Sequence, residues 1–160
     1  MTSEEKVKYI QDLEKYADHL RKAKEYSIQR IDLLIISISG AGVYTCTEIL
    51  KYIDGNKVLS MYEGIISNPF KVTGALFILT IILNFISQWS AYTGSNLILN
   101  ATKKDIHDLK ADTKEYKDDI EKLEKWGNKL NGVTKIMNNG SIILLLISLI
   151  MLICSFFHLF

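Results

Sequence analysis

The chain has 160 residues, 48% of them hydrophobic, a formal net charge of +1 and two cysteines. Charge is segregated: residues 33–53, 70–99 and 141–160 carry almost none, and each run reaches the ~20 apolar residues that cross a ~30 Å hydrocarbon core. This excludes a soluble domain with one large core, and the near-neutral balance argues against a broad nucleic-acid-binding surface.

Topology follows from the basic residues. Sixteen of the nineteen Lys and Arg lie in residues 1–32 and after position 102, which predicts that both charged blocks are cytoplasmic. The N-terminus is then inside, the 54–69 connection outside, and Phe160 at the outer surface. The same two blocks hold fifteen acidic residues, so an anion site requires a local cluster. Arg21, Lys22 and Lys24, and the pair Lys103 and Lys104, are the candidates; positive-inside anchoring is the plainer reading.

Residues 1–32 predict a cytoplasmic amphipathic helix, because Ile10, Leu13, Ala17 and Leu20 recur three and four apart. The register continues through Lys24, Ser27, Ile31 and Leu34, which would carry the helix into the membrane. A charged block of about 30 residues before the first apolar run is not the pattern of a secretory signal.

Residues 33–53 form the first predicted span. Ser37, Ala41, Tyr44, Thr45 and Glu48 share a face, and Gly40-Ala41-Gly42 permits close helix approach. Glu48 lies about 25 Å along the helix from Ile31, near the outer boundary. Pairing with Lys51 or snorkelling explains it structurally, whereas a ring of such carboxylates at an outer pore mouth would favour cations. Asp32, beside Arg30 at the inner boundary, needs only interfacial solvation. Residues 54–69 are the outer loop, ending at the single proline, Pro69, which suits a helix start.

The second span, residues 70–99, is polar along one side. At about 100° per residue, Thr73, Thr80, Asn84, Ser87, Gln88, Ala91 and Ser95 lie within roughly 60° of Asn84. Asn, Gln, Ser and Thr on such a face either hydrogen-bond between packed membrane helices or line an aqueous path. In the second reading Asn84, Gln88, Ser87, Thr80 and Ser95 are the lining, and Phe77 and Ile81, which interrupt the stripe, form a dewetting gate. The span overshoots the bilayer, so its inner part projects towards the cytoplasm.

Residues 100–139 predict a cytoplasmic helical region. Ile106, Leu109, Thr113, Tyr116, Ile120, Leu123, Gly127 and Leu130 make a coiled-coil or bundle seam. Asn131-Gly132 and Asn138-Asn139-Gly140 then predict a helix break, with Trp126 and Lys135 at headgroup level. Residues 140–160 are the third span, apolar all round and suited to lipid contact, with His158 an interfacial residue.

No catalytic motif is present: His19, His107 and His158 fall on separate segments, and no HExxH, GxSxG, P-loop or CxxC occurs. An enzyme, a cofactor and a metal site are not expected. Cys46 and Cys154 read as small apolar packing residues.

The order of parts resembles small membrane effectors of bacterial antiphage defence. It looks like the SLATT group, with a charged helix (Glu4–Arg30), a first span (Leu33–Ile53), an outer loop (Asp54–Pro69), a second span (Phe70–Leu99) and a cytoplasmic helix (Ile106–Leu130). The Hailong effector channel is a similar possibility. The resemblance implies a pore-forming protein of the bacterial inner membrane, controlled by a nucleotide or oligonucleotide signal from a partner enzyme. The third span departs from the two-span plan.

The expectation is therefore an all-α membrane protein with three transmembrane helices, forming a homo-oligomeric channel gated through its cytoplasmic helices. Three spans cannot enclose a path alone, so a ring of four or five copies is required; lipid and a cytoplasmic nucleotide are further partners, and duplex nucleic acid is not. A non-conducting scaffold anchoring a partner through the cytoplasmic helix, or a holin-like pore, are the alternatives.

Overall fold

The computed structural model describes residues 3–29, 31–56, 63–112 and 115–159. They form four helices: α1 (Ser3–Gln29), α2 (Ile31–Gly55), α3 (Glu63–Ala111) and α4 (Lys117–Leu159). The protein is all-helical in these residues, and three helices are long and apolar enough to cross a membrane, within Asp32–Gly55, Ile66–Ala111 and Lys117–Phe157.

Helix boundaries differ from the sequence expectation in two places. α3 begins at Glu63, so Pro69 lies inside it rather than at its start. Proline offers no N–H to the carbonyl four residues back, a loss that is smallest near a helix N-terminus. α4 runs unbroken through Asn131-Gly132 and Asn138-Asn139-Gly140, although an interior glycine costs about 1 kcal/mol against alanine. A Cβ at Gly140 would lie at an ordinary contact distance, 3.8 Å, from the Leu83 side chain.

The break falls instead after Ala111 and before Lys117. Asp112 takes a left-handed conformation with φ 58°, as residues just past a helix C-terminus often do. The Asp108 carboxylate accepts the Tyr116 N–H at 2.9 Å, and the Tyr116 carbonyl accepts the first helical N–H of α4, from Ile120, at 2.9 Å. The apolar series from Ile106 to Leu130 thus does not follow one rod: it folds back between Leu109 and Ile120, and Thr113 lies outside the described residues.

The chain divides into two compact units, and α3 and α4 contribute to both. The first comprises Met1–Arg30 and Ser87–Lys135. Here α3 and α4 approach closely at two glycines. A Cβ on Gly94 would stand 2.9 Å from Asn131 Oδ1 and 3.1 Å from the Gly127 carbonyl, and one on Gly127 would stand 2.5 Å from Ile98 Cγ1. Ser87 Oγ donates to the Thr134 carbonyl at 3.2 Å. On α1, Ile10, Leu13, Ala17 and Leu20 are each half-buried, and Glu14 meets Lys110 at 2.9 Å.

The second unit comprises Ile31–Ile86 and Ile136–Phe160. Its apolar centre is Ile35, Cys46, Phe77 and Leu145, with Ile38, Val43, Leu149 and Leu152 around it. Phe70 and Phe156 meet edge to face at 6.0 Å. Small polar residues fill the remaining contacts: Ser39, Thr73, Thr80, Asn84, Ser141 and Ser148 are fully buried. Ser141, Ser148 and Ser155 recur every seven residues, the repeat that keeps one helix face on a neighbour. The Thr73, Thr80, Ser148 and Ser155 hydroxyls donate to carbonyls four residues back, at 2.7–2.9 Å. Such residues can therefore line an apolar interface without an external partner and let backbones come close.

Candidate functional site: two polar faces of the long apolar helices

The polar stripe of α3 turns inward. Thr80 and Asn84 have no exposed surface, and Ser87 is buried; Gln88 and Ser95 are half-buried. Asn84 Nδ2 donates to Asp32 Oδ1 at 3.3 Å. Asp32 is half-buried in the first turn of α2, where the helix dipole favours a carboxylate. The sequence offered no sign of this pairing, because 52 positions separate the partners.

Phe77 is also fully enclosed, its ring on the backbone of α2. A Cβ at Gly42 would fall 2.5 Å from Phe77 Cε2, so the glycine makes room for the ring. Ile81 is half-buried. Within this unit Phe77 acts as a packing knob between helices.

The polar face of α2 does the opposite. Ser37, Ala41, Tyr44, Glu48 and Lys51 lie within roughly 40° of Ser37 around the helix axis, and all five are exposed. They point away from Ile35, Ser39, Gly42, Cys46 and Ile53, the buried side of the same helix. Tyr44 is 68% exposed. Gly40 has open space where a Cβ would stand, so the two glycines of Gly40-Ala41-Gly42 divide between outside and inside. Thr45, predicted on this face, is half-buried and donates to the Ala41 carbonyl at 2.9 Å. Lys51 Nζ donates to Glu48 Oε1 at 2.8 Å. Leu33 and Leu34 are the exposed residues at the start of the helix.

The other two helices of this unit contrast with it. Exposed α3 residues between Val72 and Ile86 and exposed α4 residues between Ile142 and Phe157 are all apolar, apart from the Cys154 thiol. Between those limits α3 and α4 expose no charge, and the exposed Lys71 of α3 lies just before them, whereas α2 exposes Glu48 and Lys51.

The basic clusters separate likewise. Arg21 and Lys22 are exposed, with Arg21 3.9 Å from Asp18; the Lys24 side chain lies outside the described residues, as does that of His158. Lys103 is exposed. Lys104 is engaged: its Nζ is 2.6 Å from Asp119 Oδ2 and 5.1 Å from the centre of the Tyr116 ring. The hydrogen bond and charge of Lys104 hold the Asp119 carboxyl below its ordinary range. Burial, then the nearby Asp108, push the Asp105 carboxyl up. A phosphate at Lys104 would have to displace Asp119. Among the described residues no three His, Cys, Asp or Glu gather in a way that could hold a metal ion.

No protein-family model matches the chain, and comparison with curated proteins and with solved structures finds no match.

Proposed function

We propose that the chain is the subunit of a homo-oligomeric membrane ion channel in which the Ser37–Lys51 face of α2 borders the aqueous path. The observation that supports this most directly is the orientation of that face. It lies opposite the packed side of α2, while the exposed residues of α3 between Val72 and Ile86 and of α4 between Ile142 and Phe157 are apolar apart from the Cys154 thiol. Lipid solvates the latter two and not the first. A cyclic ring of four or five copies with α2 innermost gives each surface the solvent it suits. In this reading the α3 stripe (Thr80, Asn84, Ser87, Gln88 and Ser95) and Phe77 are the seam that holds each subunit together. The lining moves to α2, and Leu33 and Leu34 are the apolar residues placed to constrict the path near its inner end.

The resemblance to antiphage effectors supplies the setting: a bacterial inner membrane, the N-terminus inside, and a nucleotide-type signal acting on the cytoplasmic helices. The half-buried Ile10, Leu13, Ala17 and Leu20 suit an amphipathic α1 within that gating region. Arg21, Lys22 and Lys103 are the exposed cations available to such a signal.

The test is ion flux from purified protein in liposomes, with and without linear and cyclic oligonucleotides. A single cysteine at Ala41, with Cys46→Ser and Cys154→Ser, should make flux sensitive to a charged thiol reagent. Flux that ignores the reagent, or no flux under any condition, overturns the proposal. The non-conducting scaffold is favoured by one observation, the use of the α3 stripe in packing within its own chain. It requires zero flux together with stable co-purification of a partner.

A further inference from the structure

We infer that Glu48 and Lys51 form a charge-balanced band on the α2 face, and that this balance makes the native pore a weak discriminator between cations and anions. The inference rests on the channel reading above and deepens it by naming what the path admits. Glu48 alone would read as a carboxylate ring selecting cations. The structure pairs it with Lys51 at 2.8 Å, and both side chains are largely open, at 46% and 68%.

Both groups lie on the face that carries Tyr44 and Ala41, about 25 Å and 30 Å along α2 from Ile31. Every copy in a ring therefore contributes one negative and one positive charge at nearly one depth. Opposite charges this close act on a passing ion as a short dipole, whose field fades faster with distance than that of a single charge. Water in the mouth and dissolved salt weaken it further. Removing either partner uncovers a ring of like charges, four or five to a pore, which does act as a filter. The sign of selectivity is thus held in check by the pair rather than fixed by Glu48.

The experiment measures reversal potential under a potassium chloride gradient, using the full-length protein in planar bilayers. Native channels should show a potassium-to-chloride permeability ratio near unity. Lys51→Gln should shift it about tenfold towards potassium, and Glu48→Gln about tenfold towards chloride. The exchange Glu48→Lys with Lys51→Glu keeps one charge of each sign, so it should retain the native ratio and serve if a single variant fails to assemble. Strong native selectivity, or ratios unmoved by both single substitutions while conductance persists, overturns the inference and leaves the channel standing. Absence of conductance in the native protein overturns the channel, and the inference with it.

Discussion

Phe77 shows how much one residue's meaning depends on its surroundings. On the sequence it interrupts a polar stripe and invites a role as a gate; in the structure its ring is enclosed against Gly42. Phe77→Ala should destabilise the second unit by roughly 2–3 kcal/mol, less than the ~3–5 of soluble cores because lipid does not penalise apolar exposure. Reversible unfolding in mixed micelles measures this, and an unchanged midpoint would refute the packing role. Asn84 was legible as a polar residue on one face of its helix, but neither its burial nor its partner Asp32 was, since single-helix periodicity carries no information about what faces it. The double variant Asn84→Leu with Gln88→Leu separates the two possible linings. With α2 bordering the path, conductance should persist at near-native amplitude in bilayer recordings, whereas its abolition with assembly intact would restore the α3 lining.

At the level of elements, the glycines of α4 fall into opposite classes. Gly127 is pressed against α3, while Gly132 has open space around its missing side chain. Gly132→Ala should therefore raise stability by about 0.5–1 kcal/mol through helix propensity, and Gly127→Val should lower it by forcing α3 and α4 apart. Thermal unfolding followed by circular dichroism distinguishes them; the same sign for both would contradict the crossing. The facing ends of α3 and α4 carry a pH dependence. Asp119 is depressed by Lys104, so its stabilisation is present above the unfolded carboxylate value, near ~3.9, and fades as pH falls through the lower folded value. Asp105 is shifted the other way; its penalty holds above its raised folded value and is relieved as pH falls. Asp119→Asn should flatten the acid limb of a stability–pH curve, and an unaltered limb would show that the Lys104 contact contributes nothing. Sequence reasoning placed helix breaks at Asn131-Gly132 and Asn138-Asn139-Gly140 because such Asn-Gly pairs mark turns. Asp112 and the Asp108–Tyr116 hydrogen bond decide otherwise.

For the whole molecule, what the sequence by itself determined is the all-helical class, the three apolar segments and the alternation of charged and uncharged blocks. These follow from residue counts along a helix, a local property that needs no knowledge of neighbours. It also identified both polar faces, on α2 and on α3. Only the tertiary structure decided that the α3 face turns inward and the α2 face outward, that Gly40 is open while Gly42 holds a ring, and that the chain folds back between Ala111 and Lys117. The physical reason is that lipid and a helix-packing surface are equally apolar. In water, hydrophobicity tells a helix which side to bury; in a membrane that signal vanishes. The choice then passes to shape, small residues and a few hydrogen bonds, which depend on helices far apart in the chain.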